Sequence, residues 1–438
     1  MSFKISKINF LNIYNKNIDS FKYISIISLD RIIGLVIVYF LVRKISGENF
    51  AFWAQVQFLP GLMCGILALG LGRGILRLFV DNKIPQKIIA YTLLAISLTY
   101  LIICGMSYLL ILLLDNININ KFMGGDSNAY FGMMILSIFI LLEGFYEILE
   151  NFLRAKLSYL YLVFLGLKML PRIIGALFII IFNFDFWVSI SYYLMFSGLI
   201  IIPLFFFVFK CIKKYHTKQN YNFYELKSFF IKIISYSFPV LISSLSLPIL
   251  QIMMRDHIIA ENGYDTLGVF SIYLSFIGLL IYFPDSFQNY IFPKLISIKN
   301  NHKNLKINKN IILKNLRNSL IISISFCVIF ILIGSYLLDT FYPKKNWTII
   351  DSTFISITSF LTMFYRSLEK AYLIYFPHKT MVLSYILYIS LVVALTLLYA
   401  NLLNGPLNAI LSFMFFFLVS TSIMLIFLKK RNISIIQF

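Results

Sequence analysis

Twelve apolar runs of about twenty residues each, separated by short polar segments, leave this chain few ways to fold. They are Ile24 to Val42, Phe50 to Leu71, Ile88 to Leu114, Ala129 to Leu149, Tyr159 to Phe182, Phe186 to Phe209, Ile233 to Met254, Leu267 to Tyr290, Ser319 to Phe341, Trp347 to Leu368, Thr380 to Ala400 and Pro406 to Leu428. That length is what an α-helix needs to cross the hydrocarbon core of a bilayer. A chain that is 60% apolar and 13% charged, against roughly 25% charged in a soluble domain, does not have water as its main solvent. The expected fold class is all-α: a polytopic membrane protein with about twelve transmembrane helices.

A net charge of +20 would suggest a nucleic-acid partner in a soluble protein, but the placement of the charge argues otherwise. If the runs are spans, 29 of the 38 Lys and Arg lie on the side of both termini and 6 on the other, while Arg31, Lys168 and Arg172 fall within apolar runs. This is the positive-inside bias, and it puts both termini in the cytoplasm. No nucleic-acid partner is expected. The first 23 residues lack an apolar core ending in small residues, so no cleaved signal peptide is expected. Their helix-like spacing of Phe3, Ile8, Leu11, Tyr14, Ile18 and Phe21 suits a segment on the cytoplasmic membrane surface.

Two internal matches point to a repeat. Glu48 to Ala54 resembles Asp265 to Ser271 at an offset of 217, and Lys213-Lys214 matches Lys429-Lys430 at an offset of 216. The expected division is an interfacial N-terminus (1–23), a six-helix lobe (24–209), a basic cytoplasmic linker (210–232), a second six-helix lobe (233–428) and a tail (429–438). The connections Lys210 to Lys232 and Lys294 to Asn318 are the longest on the cytoplasmic side, and neither is long enough for a soluble catalytic module.

The informative residues are ionisable groups at membrane depth. At about 2.5–3.5 kcal/mol each, Asp30, Arg31, Glu143, Glu147, Lys168, Arg172 and Asp285 would together cost on the order of 20 kcal/mol if they faced lipid. They must pair or face water. Glu143, Glu147 and Glu150 fall at i, i+4 and i+7, and Lys168 and Arg172 at i and i+4, so each set forms a stripe on one helix. With the hairpin turning near Ala155, Glu143 lies 12 residues before the turn and Lys168 lies 13 after it, at similar depth. Two readings stand: a structural salt bridge, or a basic pair lining a cavity with carboxylates that tune it or relay protons. Pro239, Pro248 and Pro284 are expected kinks, and Asp285 beside the last is a candidate coupling carboxylate. Gly61-x-x-x-Gly65 is expected to mark close helix packing.

Other patterns carry no chemistry. Gly70-x-Gly72-x-Gly74 follows a membrane helix rather than a strand and is no dinucleotide loop. The four histidines and four cysteines are scattered, so neither a metal site nor a disulfide framework is expected. No cofactor is expected, and without a P-loop neither is ATP hydrolysis.

The opening hairpin carries a resemblance. Arg31 in the first helix, the turn Arg43-Lys44-Ile45-Ser46-Gly47-Glu48-Asn49-Phe50, and the exit Leu69-Gly70-Leu71-Gly72-Arg73 look like the start of the Wzx-type O-antigen flippases. These belong to the multidrug/oligosaccharidyl-lipid/polysaccharide exporter superfamily. The likeness continues through Phe238-Pro239-Val240, Tyr264 to Phe270, Ile291-Phe292-Pro293-Lys294-Leu295, and Arg366-Ser367-Leu368-Glu369-Lys370 to Lys379. It implies a MATE-like fold in two six-helix halves and a carrier that moves undecaprenyl-diphosphate-linked oligosaccharide from the cytoplasmic to the outer leaflet of the bacterial inner membrane. It further implies membrane lipids, a coupling H⁺ or Na⁺, and polysaccharide-assembly enzymes as partners.

On that resemblance, Arg31, Lys168 and Arg172 are the leading headgroup contacts, with Arg73 and Arg77 at the exit of the second span as helpers. A guanidinium fork suits phosphate oxygens, although Arg31 beside Asp30 could equally snorkel, and basic residues at 73 and 77 are what the positive-inside rule predicts. Asp30, Glu143, Glu147 and Asp285 are the coupling or salt-bridge carboxylates. The alternatives are a multidrug/cation antiporter of the same superfamily, whose site would expose carboxylates, and an O-antigen polymerase or ligase. The latter is a membrane enzyme that would need a larger outer loop than Asp115 to Asn128.

Overall fold

The structure is a computed structural model that describes residues 25, 29, 32–67, 71–79, 86–113, 129–155, 159–182, 185–214, 223–301, 305–343, 345–375 and 406–430. The eleventh apolar run, Thr380 to Ala400, and the segments 1–23 and 431–438 lie outside these residues. The described elements are helices: α1 (32–44), α2 (Gly47–Leu67), α3 (Leu71–Phe79), α4 (Gln86–Leu113), α5 (Ala129–Ala155), α6 (Tyr159–Ile180), α7 (Phe186–Lys214), α8 (Phe223–Asn301), α9 (Leu305–Phe341), α10 (Ile349–Tyr375) and α11 (Pro406–Lys430). Among them, three segments are long and apolar enough to cross a membrane: Val163–Ile180, Phe186–Pro203 and Arg317–Phe341. Shorter apolar helices cover Tyr91–Met106, Thr266–Tyr282 and Ile410–Ile426.

Polar side chains set where several helices begin. The Ser46 hydroxyl accepts the Asn49 N–H at 3.2 Å at the start of α2, and the Asp185 carboxylate accepts the Trp187 N–H at 3.0 Å at the start of α7. At α10, Thr348 and Asp351 bond reciprocally: Asp351 Oδ2 accepts the Thr348 N–H at 2.8 Å, and the Asp351 N–H reaches Thr348 Oγ1 at 3.4 Å.

α8 is a helical hairpin. Gln251 and Arg255 on its first arm and Ser271 and Ser275 on its second face the same cavity, as antiparallel arms about Gly263 require. Gly263 has φ 77° and ψ −179°, a conformation essentially confined to glycine. It is the one departure from helical dihedrals in α8, so the backbone stays helical through Pro239, Pro248 and Pro284. Neighbouring groups re-satisfy what proline frees in such helices. The connection Lys294 to Asn318, expected on the cytoplasmic side, is largely helical, because α8 continues to Asn301 and α9 begins at Leu305. Its lysines are good helix formers beyond the bilayer.

Helices α2 and α3 pack on α5, α6 packs on α7, and α9, α10 and α11 pack in sequence, with α8 against α9, α10 and α11; the first group meets the second where α2 and α3 lie on α8. Within lipid, close packing and polar contacts rather than hydrophobicity hold helices together. A Cβ on Gly72 would come within 2.8 Å of Glu147 Oε1, and one on Gly74 within 3.2 Å of the Ile233 carbonyl oxygen, so these glycines let α3 press against α5 and α8. Gly61, expected with Gly65 to mark such an approach, has nothing within 4 Å of its Cβ position, and the surroundings of Gly65 lie outside the described ones. Between α9 and α10, Cys327 Sγ–H donates to the Ser356 carbonyl and Ser356 Oγ–H to the Cys327 carbonyl, each at 3.2 Å. Leu332 and Tyr336 of α9, both 74% exposed, lie on its outward face and suit lipid.

Candidate transport cavity

A cavity of about 410 Å³ lies where α2, α5, α6 and α7 meet the second arm of α8 and α10. Its wall carries four cations, Arg154, Lys168, Arg172 and Arg366, and three carboxylates, Glu143, Glu150 and Asp285, among tyrosines including Tyr146, Tyr161, Tyr193 and Tyr282. Side chains distant in sequence converge there because α5 and α6 form a hairpin while α8 and α10 close the opposite side.

Lys168 Nζ lies 2.6 Å from Glu143 Oε1 and 3.6 Å from Glu150 Oε2, and 5.5 Å from the centre of the Tyr146 ring. The Tyr146 hydroxyl donates to the Ser197 carbonyl at 3.1 Å, which fixes the ring between α5 and α7. Glu147, of the same stripe, turns away from the cavity. Successive helical residues are rotated by about 100°, so Glu147 sits to one side of Glu143 and Glu150 to the other. The Glu147 carboxylate accepts the Cys64 thiol of α2 at 3.2 Å and lies against Gly72 of α3. Arg172, one turn beyond Lys168, reaches α1, where its Nη1 would be 3.5 Å from a Cβ on Gly34. Asp30 and Arg31 lie outside the described residues; Arg73 and Arg77 belong to α3, with side chains outside the described ones.

On the opposite wall, Asp285 holds two cations. Arg366 Nη1 is 2.8 Å from its Oδ2, Lys370 Nζ is 2.5 Å from its Oδ1, and Lys370 also contacts Gln288 Oε1 at 3.3 Å. Gln288 is in turn hydrogen-bonded to Ser367. No partner for Asp285 is readable from spacing along the chain, and the charge bias alone places Arg366 and Lys370 in a cytoplasmic connection. Both lie inside α10, 81 and 85 residues from Asp285. Their i, i+4 spacing, the same that singles out Lys168 and Arg172, is the signal in the sequence that points to them.

A second cavity of about 320 Å³ lies beside the first, between α1 and α2 on one side and α8, α10 and α11 on the other. Phe50, Trp53, Phe413 and Phe417 give it aromatic walls; Gln251, Ser271, Ser275, Thr358 and Thr362 line it with polar groups. Its charged residues among the described ones are Arg255 and Arg366, and Arg366 lines both cavities. Arg255, which the sequence alone groups with the outer connections, is 1% exposed in the first arm of α8.

The two sides also meet at the far end of the first hairpin. Arg43 Nη2–H donates to the Thr340 carbonyl of α9 at 3.0 Å, its guanidinium carbon lies 3.6 Å from the Tyr39 ring centre, and Tyr39 meets Phe341 edge to face at 5.5 Å.

No protein-family model matches the sequence, and no curated protein matches it. Solved structures do. The MATE multidrug transporter DinF-BH, in a ligand complex, aligns with a TM-score of 0.68 at 13% identity, over 96% of this chain and 95% of that one. The outward-facing conformation of a multidrug resistance MATE family transporter of the MOP superfamily gives 0.60 at 13% identity, over 94% and 96%. A MOP superfamily transporter from Pyrococcus furiosus, described as having a binding pocket of reverse polarity that suggests a different function, gives 0.57 at 12% identity, over 95% and 96%. At these identities the likeness is one of fold: the chain has the all-α, polytopic fold of the MATE transporters.

Proposed function

We propose that this protein is a flippase that carries an undecaprenyl-diphosphate-linked oligosaccharide, a surface-polysaccharide repeat unit, from the cytoplasmic to the periplasmic leaflet of a bacterial inner membrane by alternating access. The observation that carries the reading is the pair of adjoining cavities between the two sides of the molecule, whose walls hold five cations against three carboxylates. A diphosphate suits such a wall, tyrosines and hydroxyl groups suit a glycan, and the lipid tail can remain in the bilayer. Lys168, Arg172 and Arg366 contact the diphosphate, and Arg31, Arg73 and Arg77 gather it from the cytoplasmic leaflet, the side to which the charge bias assigns both termini. Glu143, Glu147, Asp285 and Asp30 position the cations or carry a coupling H⁺ or Na⁺, and polysaccharide-assembly enzymes supply and consume the substrate. The reading is of a carrier rather than an enzyme.

Export of organic cations is the second reading. It draws on Glu143, Glu150 and Asp285 in the wall and on the likeness to DinF-BH, whereas the described reverse polarity of the Pyrococcus furiosus pocket argues that this fold is not tied to one charge of cargo. Reconstitution separates the two. Liposomes carrying a fluorescent diphosphate-linked oligosaccharide should equilibrate it between leaflets only when the protein is present. Failure to do so, with ion-driven accumulation of a cationic dye in the same vesicles, would replace the flippase by the exporter.

A further inference from the structure

The two cavities differ in charge, and the difference bears on where the anionic group rests. In the larger one every cation shares a wall with carboxylates, and Lys168 is held by two of them. In the smaller one, Arg255 and Arg366 share the wall with aromatic and uncharged polar side chains and, among the described residues, with no carboxylate. Asp285, which Arg366 and Lys370 share, sits on the larger cavity's wall. The two cations on the smaller cavity's wall among the described residues are therefore Arg255 and Arg366. A diphosphate esterified at both ends carries two negative charges at neutral pH.

We propose that the smaller cavity is a second binding site for the diphosphate, a station distinct from the Lys168 and Arg172 wall, with Arg366 as the residue that passes the group from one cavity to the other. The inference rests on the flippase reading for its ligand, but its geometry is its own. Arg366 is 40% exposed and lines both cavities, while Arg255 is fixed deep in α8. Gln251 adds amide donors beside Arg255. Ser271, Ser275, Thr358 and Thr362 donate to carbonyls of their own helices, so they turn oxygen lone pairs or a re-aimed hydroxyl toward whatever fills the space. Trp53 and Phe413 then meet the first sugar.

The test is binding of a fluorescent short-chain polyprenyl-diphosphate disaccharide to the full chain in nanodiscs. Arg255→Gln removes one cation, and Ser275→Asp places a carboxylate in the wall at a half-buried position. Each should raise the Kd by about tenfold or more, the effect of losing one charge-assisted contact. Ser275→Asp keeps the test decisive if Arg255→Gln does not fold. Displacement of the probe by inorganic pyrophosphate, lost in Ser275→Asp, supports a site that reads phosphate alone. Displacement only by unlabelled lipid, with the same sensitivity, supports one that also reads the sugar or tail. Wild-type Kd within about twofold in the well-folded variants overturns the second station and leaves the flippase standing. Absence of probe binding to the wild-type protein overturns both.

Discussion

Asp285→Asn removes one charge from between two cations, and the geometry sets the size of the effect. The Asp285 side chain is 11% exposed, that of Lys370 17% and that of Arg366 40%. Breaking a buried ion pair by deleting one partner costs about 3–5 kcal/mol, whereas an exposed pair is worth about 0–1 kcal/mol. Lys370 belongs near the first class and Arg366 nearer the second. The loss should come to about 3 kcal/mol, mostly from leaving Lys370 buried beside a second cation one helical turn away. In folded-to-unfolded ratio that is about a hundredfold. Removing the orphaned charge as well, in Asp285→Asn/Lys370→Met, should recover much of the loss, with a coupling of about 2 kcal/mol between the positions. Thermal and denaturant unfolding of the purified protein in detergent, followed by tryptophan fluorescence, measures these two variants and the Lys370→Met single that completes the cycle. Asp285→Asn within about 0.5 kcal/mol of wild type, or a double variant that simply adds the single losses, would refute the reasoning.

Gly263→Ala should cost about 1–3 kcal/mol through backbone strain alone, since no atom lies within 4 Å of the Cβ position; the same unfolding assay reads it. Gly74→Ala, facing the Ile233 backbone, should destabilise by about 1–3 kcal/mol, whereas Gly61→Ala should be neutral or slightly stabilising. Arg43→Ala should lose about 1–2 kcal/mol from its carbonyl bond and ring contact. Tyr39→Cys/Phe341→Cys, bridged by a cleavable bifunctional thiol reagent that spans the place of the two rings, should stop flipping in liposomes, with recovery on cleavage; undiminished flipping in the bridged protein would show that these ends need not part. Asp351→Ala should cost about 1–2 kcal/mol, because it takes away the acceptor of the Thr348 N–H at the start of α10 and a partner of Lys345 2.9 Å away.

The fold is legible in the sequence to a large extent, because membrane helices announce themselves through apolar length and the charge bias orders them. The depth match between Glu143 and Lys168 can be counted from the α5–α6 turn, and the two lie 2.6 Å apart. Counting cannot fix rotation, which is why Glu147 groups with Glu143 by spacing although it faces Cys64 and Gly72. Nor can it join distant helices. Asp285 meets Arg366 and Lys370 only because α8 packs on α10. The charge bias read from the sequence groups those two cations with the residues expected on the cytoplasmic side. It also hides Arg255 among outer ones, since a Lys or Arg near a helix end reads as an anchor until packing shows what surrounds it.

The central claim is translocation of a lipid-linked glycan, and the measurement closest to it is the sidedness of that glycan in cells depleted of this protein, read with a probe that reaches only the outer leaflet. Intact repeat units that accumulate and stay hidden from the probe are the predicted result. Units that accumulate but are accessible would contradict it, because flipping would then have preceded the missing step and polymerisation would be the activity lost.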